Sequence, residues 1–138
     1  MRAFIDTSTL FKKYVDEKGS RRFSKLLESI SEILVAPVTV LEVHSVLERR
    51  IRDKSLTRKD AGWIEKEFLF DLNFFGVVRY NENLMKEATR VIRKYQLKVL
   101  DGIQLSSAIL SQPDIFVVSD ARLFAASKSE LRKTEYIE

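Results

Sequence analysis

The sequence has no cysteine and a single histidine, His44, among its 138 residues. Without thiols there is no disulfide framework, no thiolate metal site and no cysteine nucleophile. One histidine rules out a histidine-rich zinc site and leaves almost no room for a Ser-His-Asp triad. Any chemistry therefore falls to carboxylates, hydroxyls, lysines and arginines. Proline and glycine are scarce, at 2 and 4 copies, so few positions interrupt a helix or demand a tight turn. Long apolar runs are missing too. None approaches the roughly 20 residues that span a bilayer, and the N-terminal stretch meets Asp6 before a secretory core could form. The expectation is a soluble, cytoplasmic protein with no membrane partner.

What remains is a chain that is 45% apolar and carries 24 Lys+Arg against 20 Asp+Glu, a net charge of +4. At this length a single domain over 1–138 is expected, with a core that needs no staples. Ala3–Ile5 and Ile115–Val118 run apolar, as buried parallel strands do. Ile33–Ala36, Gly76–Tyr80 and, at an edge, Thr134–Ile137 are further strand candidates. Between them lie helical stripes. Leu84, Met85, Ala88, Val91, Ile92 and Tyr95 form one; Val40, Leu41, Val43, Leu47 and Ile51 form a second; Leu105, Ala108 and Ile109 form a third. Alternating strands and helices predict an α/β fold: a central, mostly parallel sheet with helices on both faces. Residues 57–75 carry too many large apolar groups for one helix face. Either the segment packs on the sheet and its end enters the core, or a second copy or protein partner covers part of it.

Four acids occupy suggestive places. Asp6 follows the first strand and precedes a helix start, Asp120 does the same after Ile115–Ser119, and Asp101 opens a helix over Gly102–Leu110. Capping alone accounts for an aspartate at any one helix N-terminus. Taken together, Asp6 and Asp120 both fall at the carboxyl edge of a parallel sheet, where such folds bind ligands. Glu42 sits within the stripe around Leu41 and Val43, where a carboxylate needs a partner, either a basic side chain or a cation. Converging carboxylates repel unless a cation or shared protons relieve them. An oxygen-only set selects a hard ion, Mg²⁺ or Mn²⁺. Basic runs at Lys12–Lys13, Arg21–Arg22, Arg49–Arg50, Arg52, Lys54 and Arg58–Lys59 would suit a polyanion.

The stretches FIDTSTLFKKY, TVLEVHSVL, LKVLDGIQLSSAIL and FVVSDARLFAAS follow one another in the order and spacing of a PIN domain of the VapC toxin type. The sequence resembles that family over essentially its whole length. The resemblance implies a PIN-like three-layer fold with about five strands, metal-dependent endoribonuclease activity on RNA, homodimers, and a small cognate VapB-type antitoxin. It carries the family's metal-binding, catalytic acids onto Asp6, Glu42, Asp101 and Asp120, with Mg²⁺ or Mn²⁺ as cofactor. It carries the small hydroxyl residue onto Ser8, to hold a water or orient Asp6.

Two positions depart from the family pattern. Val118 stands where many relatives place Thr or Ser, with Ser119 next to it. Gln104 stands where many have His; it can hydrogen-bond substrate or water but cannot shuttle protons, and plain helix surface is its alternative. Arg122 suits either a scissile phosphate or a neighbouring acid. His44, two residues from Glu42, points to another helix face and is expected to be structural. Two other functions fit the resemblance: an RNA-processing or decay nuclease, and a catalytically silent PIN-like binding partner. Compact size favours a toxin over the first, and four intact acids argue against the second.

Overall fold

The computed structural model describes residues 1–138. Its strands are β1 (Arg2–Ile5), β2 (Glu32–Val35), β3 (Gly76–Val77), β4 (Ile115–Val118) and β5 (Thr134–Tyr136). Its helices are α1 (Thr7–Phe11), α2 (Ser20–Leu27), α3 (Thr39–Arg52), α4 (Arg58–Leu72), α5 (Glu82–Tyr95), α6 (Val99–Ser111) and α7 (Ala121–Ser127). The strands form one sheet in the order β3-β2-β1-β4-β5, and every neighbouring pair is parallel. Parallel pairing requires a crossover between successive strands, and the helices supply it.

Alternation along each strand divides the core in two. Ala3, Ile5, Val35, Ile115 and Val117 meet side chains of α1 to α4, including Phe11, Phe23, Val43, Leu47 and Phe68. Phe4, Leu34, Ala36, Phe116 and Val118 point the other way, toward Leu84, Val91, Ile103, Leu105 and Leu123 of α5 to α7. Phe4, Phe11, Phe23, Phe68 and Phe116 are fully buried, and each contributes roughly 1.5–3 kcal/mol through burial. Three layers therefore follow from the apolar pattern.

The edge strand β3 is shorter than the expected Gly76–Tyr80. Val78 N–H still donates to Val35 C=O at 3.0 Å. Exposed Arg79 and Tyr80 then leave the sheet for Asn81, whose side chain caps α5 at Leu84 N–H. Residues 57–75 meet the first expectation in part. Ala61, Ile64 and Phe68 of α4 are buried and Phe75 packs on the core, whereas Trp63, Phe70 and Phe74 face outward at 61%, 65% and 70% exposure. Gly102 explains how α6 lies so close to α5: a Cβ there would sit 2.4 Å from Ile92 Cγ1.

Candidate active site

From β1 the chain winds toward one edge of the sheet, and from β4 toward the other. The crevice beyond the carboxyl ends of these two central neighbours is the topological switch point, where open α/β sheets bind ligands. Asp6 and Asp120 flank it. Asp6 leaves β1 with its N–H on Val117 C=O at 3.1 Å. Its carboxylate caps α1, accepting from Thr9 N–H at 3.0 Å and from Ser8 Oγ at 2.9 Å. Ser8 thus orients Asp6. Asp120 caps α7, accepting from Leu123 N–H at 2.8 Å. Ser119 joins its hydroxyl to Thr9 Oγ1 at 2.7 Å, tying the two caps together.

Asp101 differs from the expectation. Its helix begins at Val99 rather than Gly102, Lys98 occupies the cap position, and Asp101 lies in the first turn. Capping accounts for Asp6 and Asp120 but not for Asp101, which is half-buried. Charge tells the same story. Burial pushes the Asp6 carboxyl up to about 6, and the charge of Asp120 adds to the rise. Asp101 is also raised, first by burial and then by Asp120, while Lys98 and Arg122 pull it back. Asp120 is therefore the common neighbour of two carboxylates that resist ionising. Arg122 is exposed and acts on Asp101 through its field, without a close ion pair.

Glu42, on α3, has no basic partner, contrary to one of the two expectations. Its Oε1 accepts from Thr7 Oγ1 at 2.9 Å and from Gln104 Nε2 at 2.7 Å. Gln104 is neither helix surface nor positioned to meet substrate, because it is only 3% exposed. The reason is that α6 is enclosed by neighbours from Gly102 to Ala108. Thr7 and Thr39 belong to the same network, with Thr7 Oγ1 accepting from Gln104 Nε2 at 2.9 Å. Sequence reasoning missed both threonines. The only signal for them was a hydroxyl beside Asp6 and another three residues before Glu42. His44 is half-buried and lines neither cleft described next.

Two clefts open beside Asp120 and Glu42 and share Ser8, Val46 and Arg49. One, of about 300 Å³, is lined by Ser8, Phe11, Lys12, Glu17, Val46, Arg49, Arg50, Ser119 and Asp120. The other, of about 390 Å³, is lined by Thr7, Ser8, Val38, Leu41, Glu42, Ser45, Val46, Arg49 and Leu100. Much of the basic rim is already neutralised. Glu17 takes Arg50 at 2.8 Å and Lys12 at 3.5 Å, and Lys13 pairs with Asp71 at 2.6 Å. Arg49 lines both clefts and is outside these pairs.

No three Asp, Glu or His side chains converge closely enough to enclose an ion between them. This geometry does not suit a cage made wholly of protein ligands, such as structural zinc requires. Mg²⁺ is commonly bound by one or two carboxylates while keeping several waters. Carboxylates beside a cleft, two of them raised by burial and further by the charge of Asp120, fit such an ion. Asp6, Asp101, Asp120 and Glu42 are the residues that would hold it.

No curated protein matches the chain significantly. Among solved structures, the chain is similar to a toxin–antitoxin complex from Klebsiella pneumoniae, with TM-score 0.67, 18% identity, and coverage of 89% of this chain and 90% of that one. It is also similar to VapBC2 from Rickettsia felis bound to a fragment of its promoter DNA, with TM-score 0.71, 10% identity and 100% coverage of both chains. FitAcB from Neisseria gonorrhoeae gives TM-score 0.71 at 12% identity and 96% coverage of both chains. At these identities the likeness is one of fold. The PIN domain model matches residues 3–128, and the chain belongs to the PIN domain family.

Proposed function

We propose that the chain is a Mg²⁺- or Mn²⁺-dependent endoribonuclease and the toxin of a VapBC-type pair. One observation carries the reading: Asp6 and Asp101 are both driven toward protonation with Asp120 as common neighbour, at the sheet's switch point and beside an unpaired arginine. Structural stability would favour neutralising these acids with the lysines and arginines the chain has in plenty. Leaving two of them raised by burial, with the charge of Asp120 adding to each, favours a cationic ligand.

Each side chain then has a task. Ser8 and Thr9 fix Asp6, so that one carboxylate position is set before any ligand arrives. Asp120 is fixed by its own helix, and Asp101 approaches from α6 without a competing cap. Arg49, with Arg122 near Asp101, would hold the phosphate backbone against the cleft. A bound divalent ion supplies a water of lowered pKa and offsets charge developing on the phosphoryl oxygen.

The toxin–antitoxin neighbours support a small antitoxin as partner. A second copy of the chain is supported by the outer side of α4, where Trp63 and Phe70 lie exposed and Phe74, just past the helix end, packs its exposed ring beside Phe70. The test of the central reading is cleavage of a total RNA pool with Mn²⁺, Mg²⁺ or EDTA, with new 5′ and 3′ ends mapped by sequencing. Discrete cuts that need the metal, and that fall by more than about 100-fold in Asp120→Asn, are expected. Cuts that persist in EDTA, or in Asp120→Asn, would overturn it.

A further inference from the structure

We propose that Gln104 is a positioning residue: it commits one oxygen of Glu42 and leaves the other facing the cleft for an ion. The inference rests on the metal-dependent reading above and deepens it. Three observations carry it. Gln104 Nε2 donates to Glu42 Oε1 at 2.7 Å, and Thr7 Oγ1 donates to the same oxygen at 2.9 Å, so both protein donors fall on one atom. Glu42 Oε2 receives none, and Glu42 lines the cleft that also holds Ser8 and Arg49.

The second observation is the surroundings of the amide. Gln104 is 3% exposed, and its Oε1 is buried with no hydrogen-bond partner. A buried unpaired amide oxygen is unfavourable and calls for an explanation. Packing does not supply one, since a methionine of similar length would fill the same space without an orphaned polar atom. The amide's distinctive contribution is a donor aimed at Glu42.

The third observation fixes the amide's orientation. Turning it over would place its oxygen, instead of its nitrogen, 2.7 Å from a carboxylate oxygen, a contact between two acceptors. The assignment of nitrogen to the Glu42 side therefore follows from the network. Groups that orient metal-binding side chains in this way typically change metal affinity or activity by about 10–100-fold when removed.

The test is calorimetric titration of Mn²⁺ into wild type, Gln104→Met, Glu42→Gln and the double variant, together with their metal-free thermal midpoints. Gln104→Met is expected to weaken Mn²⁺ binding by about 10-fold or more while its midpoint stays level or rises. In the Glu42→Gln background the same change is expected to have no further effect, because the residue acts through Glu42. Equal Mn²⁺ affinity in wild type and Gln104→Met would overturn the positioning role. An equal loss in both backgrounds would overturn it as well, by making the effect one of general packing. If Gln104→Met does not fold, Thr7→Val removes the other donor to Oε1 and is read in the same cycle. A wild type that binds no Mn²⁺ would overturn the metal-dependent reading itself; normal wild-type binding with an unaffected Gln104→Met would overturn this inference alone.

Discussion

Two groups of carboxylates in this molecule face opposite circumstances. Glu130, in the loop after α7, is nearly buried and accepts from Arg90 Nη1 at 3.0 Å, Arg90 Nη2 at 2.9 Å, Lys94 Nζ at 3.3 Å and Tyr95 Oη at 2.7 Å. These donors, Arg90 foremost, hold its carboxyl at about 2. Asp6 is also buried, yet it receives only hydroxyl and backbone donors and rises to about 6. The same functional group thus holds the fold together in one place and strains it in the other. The difference lies in what the neighbouring helix contributes. The last two turns of α5 bring two cations and a phenol to Glu130, whereas the strand ends bring Asp6 and Asp120 toward each other. A fold selected for stability alone would not leave the second arrangement unpaired.

That contrast breaks at its strongest point if Glu130 is changed. Glu130→Gln is expected to destabilise the protein at neutral pH by about 1–2 kcal/mol, seen as a midpoint several degrees lower. The sign with pH follows from a lowered carboxyl. Its contribution is full above the ordinary value of 4.5 and is lost as pH falls through about 2, so wild type and variant converge in acid.

Asp6→Asn sharpens the other half. Asparagine keeps the cap on Thr9 N–H and removes the charge, so the metal-free midpoint is expected to rise near neutral pH by the equivalent of about 1–2 kcal/mol. Here the carboxyl is raised. Its contribution is complete below 3.8 and is lost as pH climbs through about 6, so the advantage of the variant disappears in acid. A midpoint that falls at neutral pH would make capping the main work of Asp6.

The smallest expected effect on the fold lies on the outer face of α4. Phe70→Ser should change monomer stability by less than about 0.5 kcal/mol while shifting a dimer toward monomer in sedimentation. A wild type that is monomeric at micromolar concentration would sink the second-copy reading.

How much of this was legible in the sequence depends on range. Apolar runs such as Ile115–Val118 announced strands, and Asp6 and Asp120 were readable as acids at strand ends because both signals lie within a few residues. The start of the helix that carries Asp101 was not: Lys98 supplies no side-chain cap and Val99 and Leu100 are exposed, so neither a capping residue nor a buried stripe marks its first turn. The partners of Glu42 were hidden for a different reason, since Thr7 and Gln104 lie 35 and 62 residues away. Gln104 looked like helix surface because a helix enclosed on all sides has no polar stripe to betray which residues face inward. The basic runs were visible, but Glu17's hold on both Lys12 and Arg50 was not.

The most direct test of the claim that the cleft acids serve a cation is the proton balance of Mn²⁺ binding. Carboxyls held partly protonated must lose their protons when an ion arrives. Titration by calorimetry in two buffers of different ionisation enthalpy counts them. Near pH 5.5, binding is expected to release about half a proton or more; near pH 8 it is expected to release almost none, and Asp6→Asn should remove most of the release. Mn²⁺ binding without proton release at the lower pH, or release unchanged in Asp6→Asn, would contradict the claim.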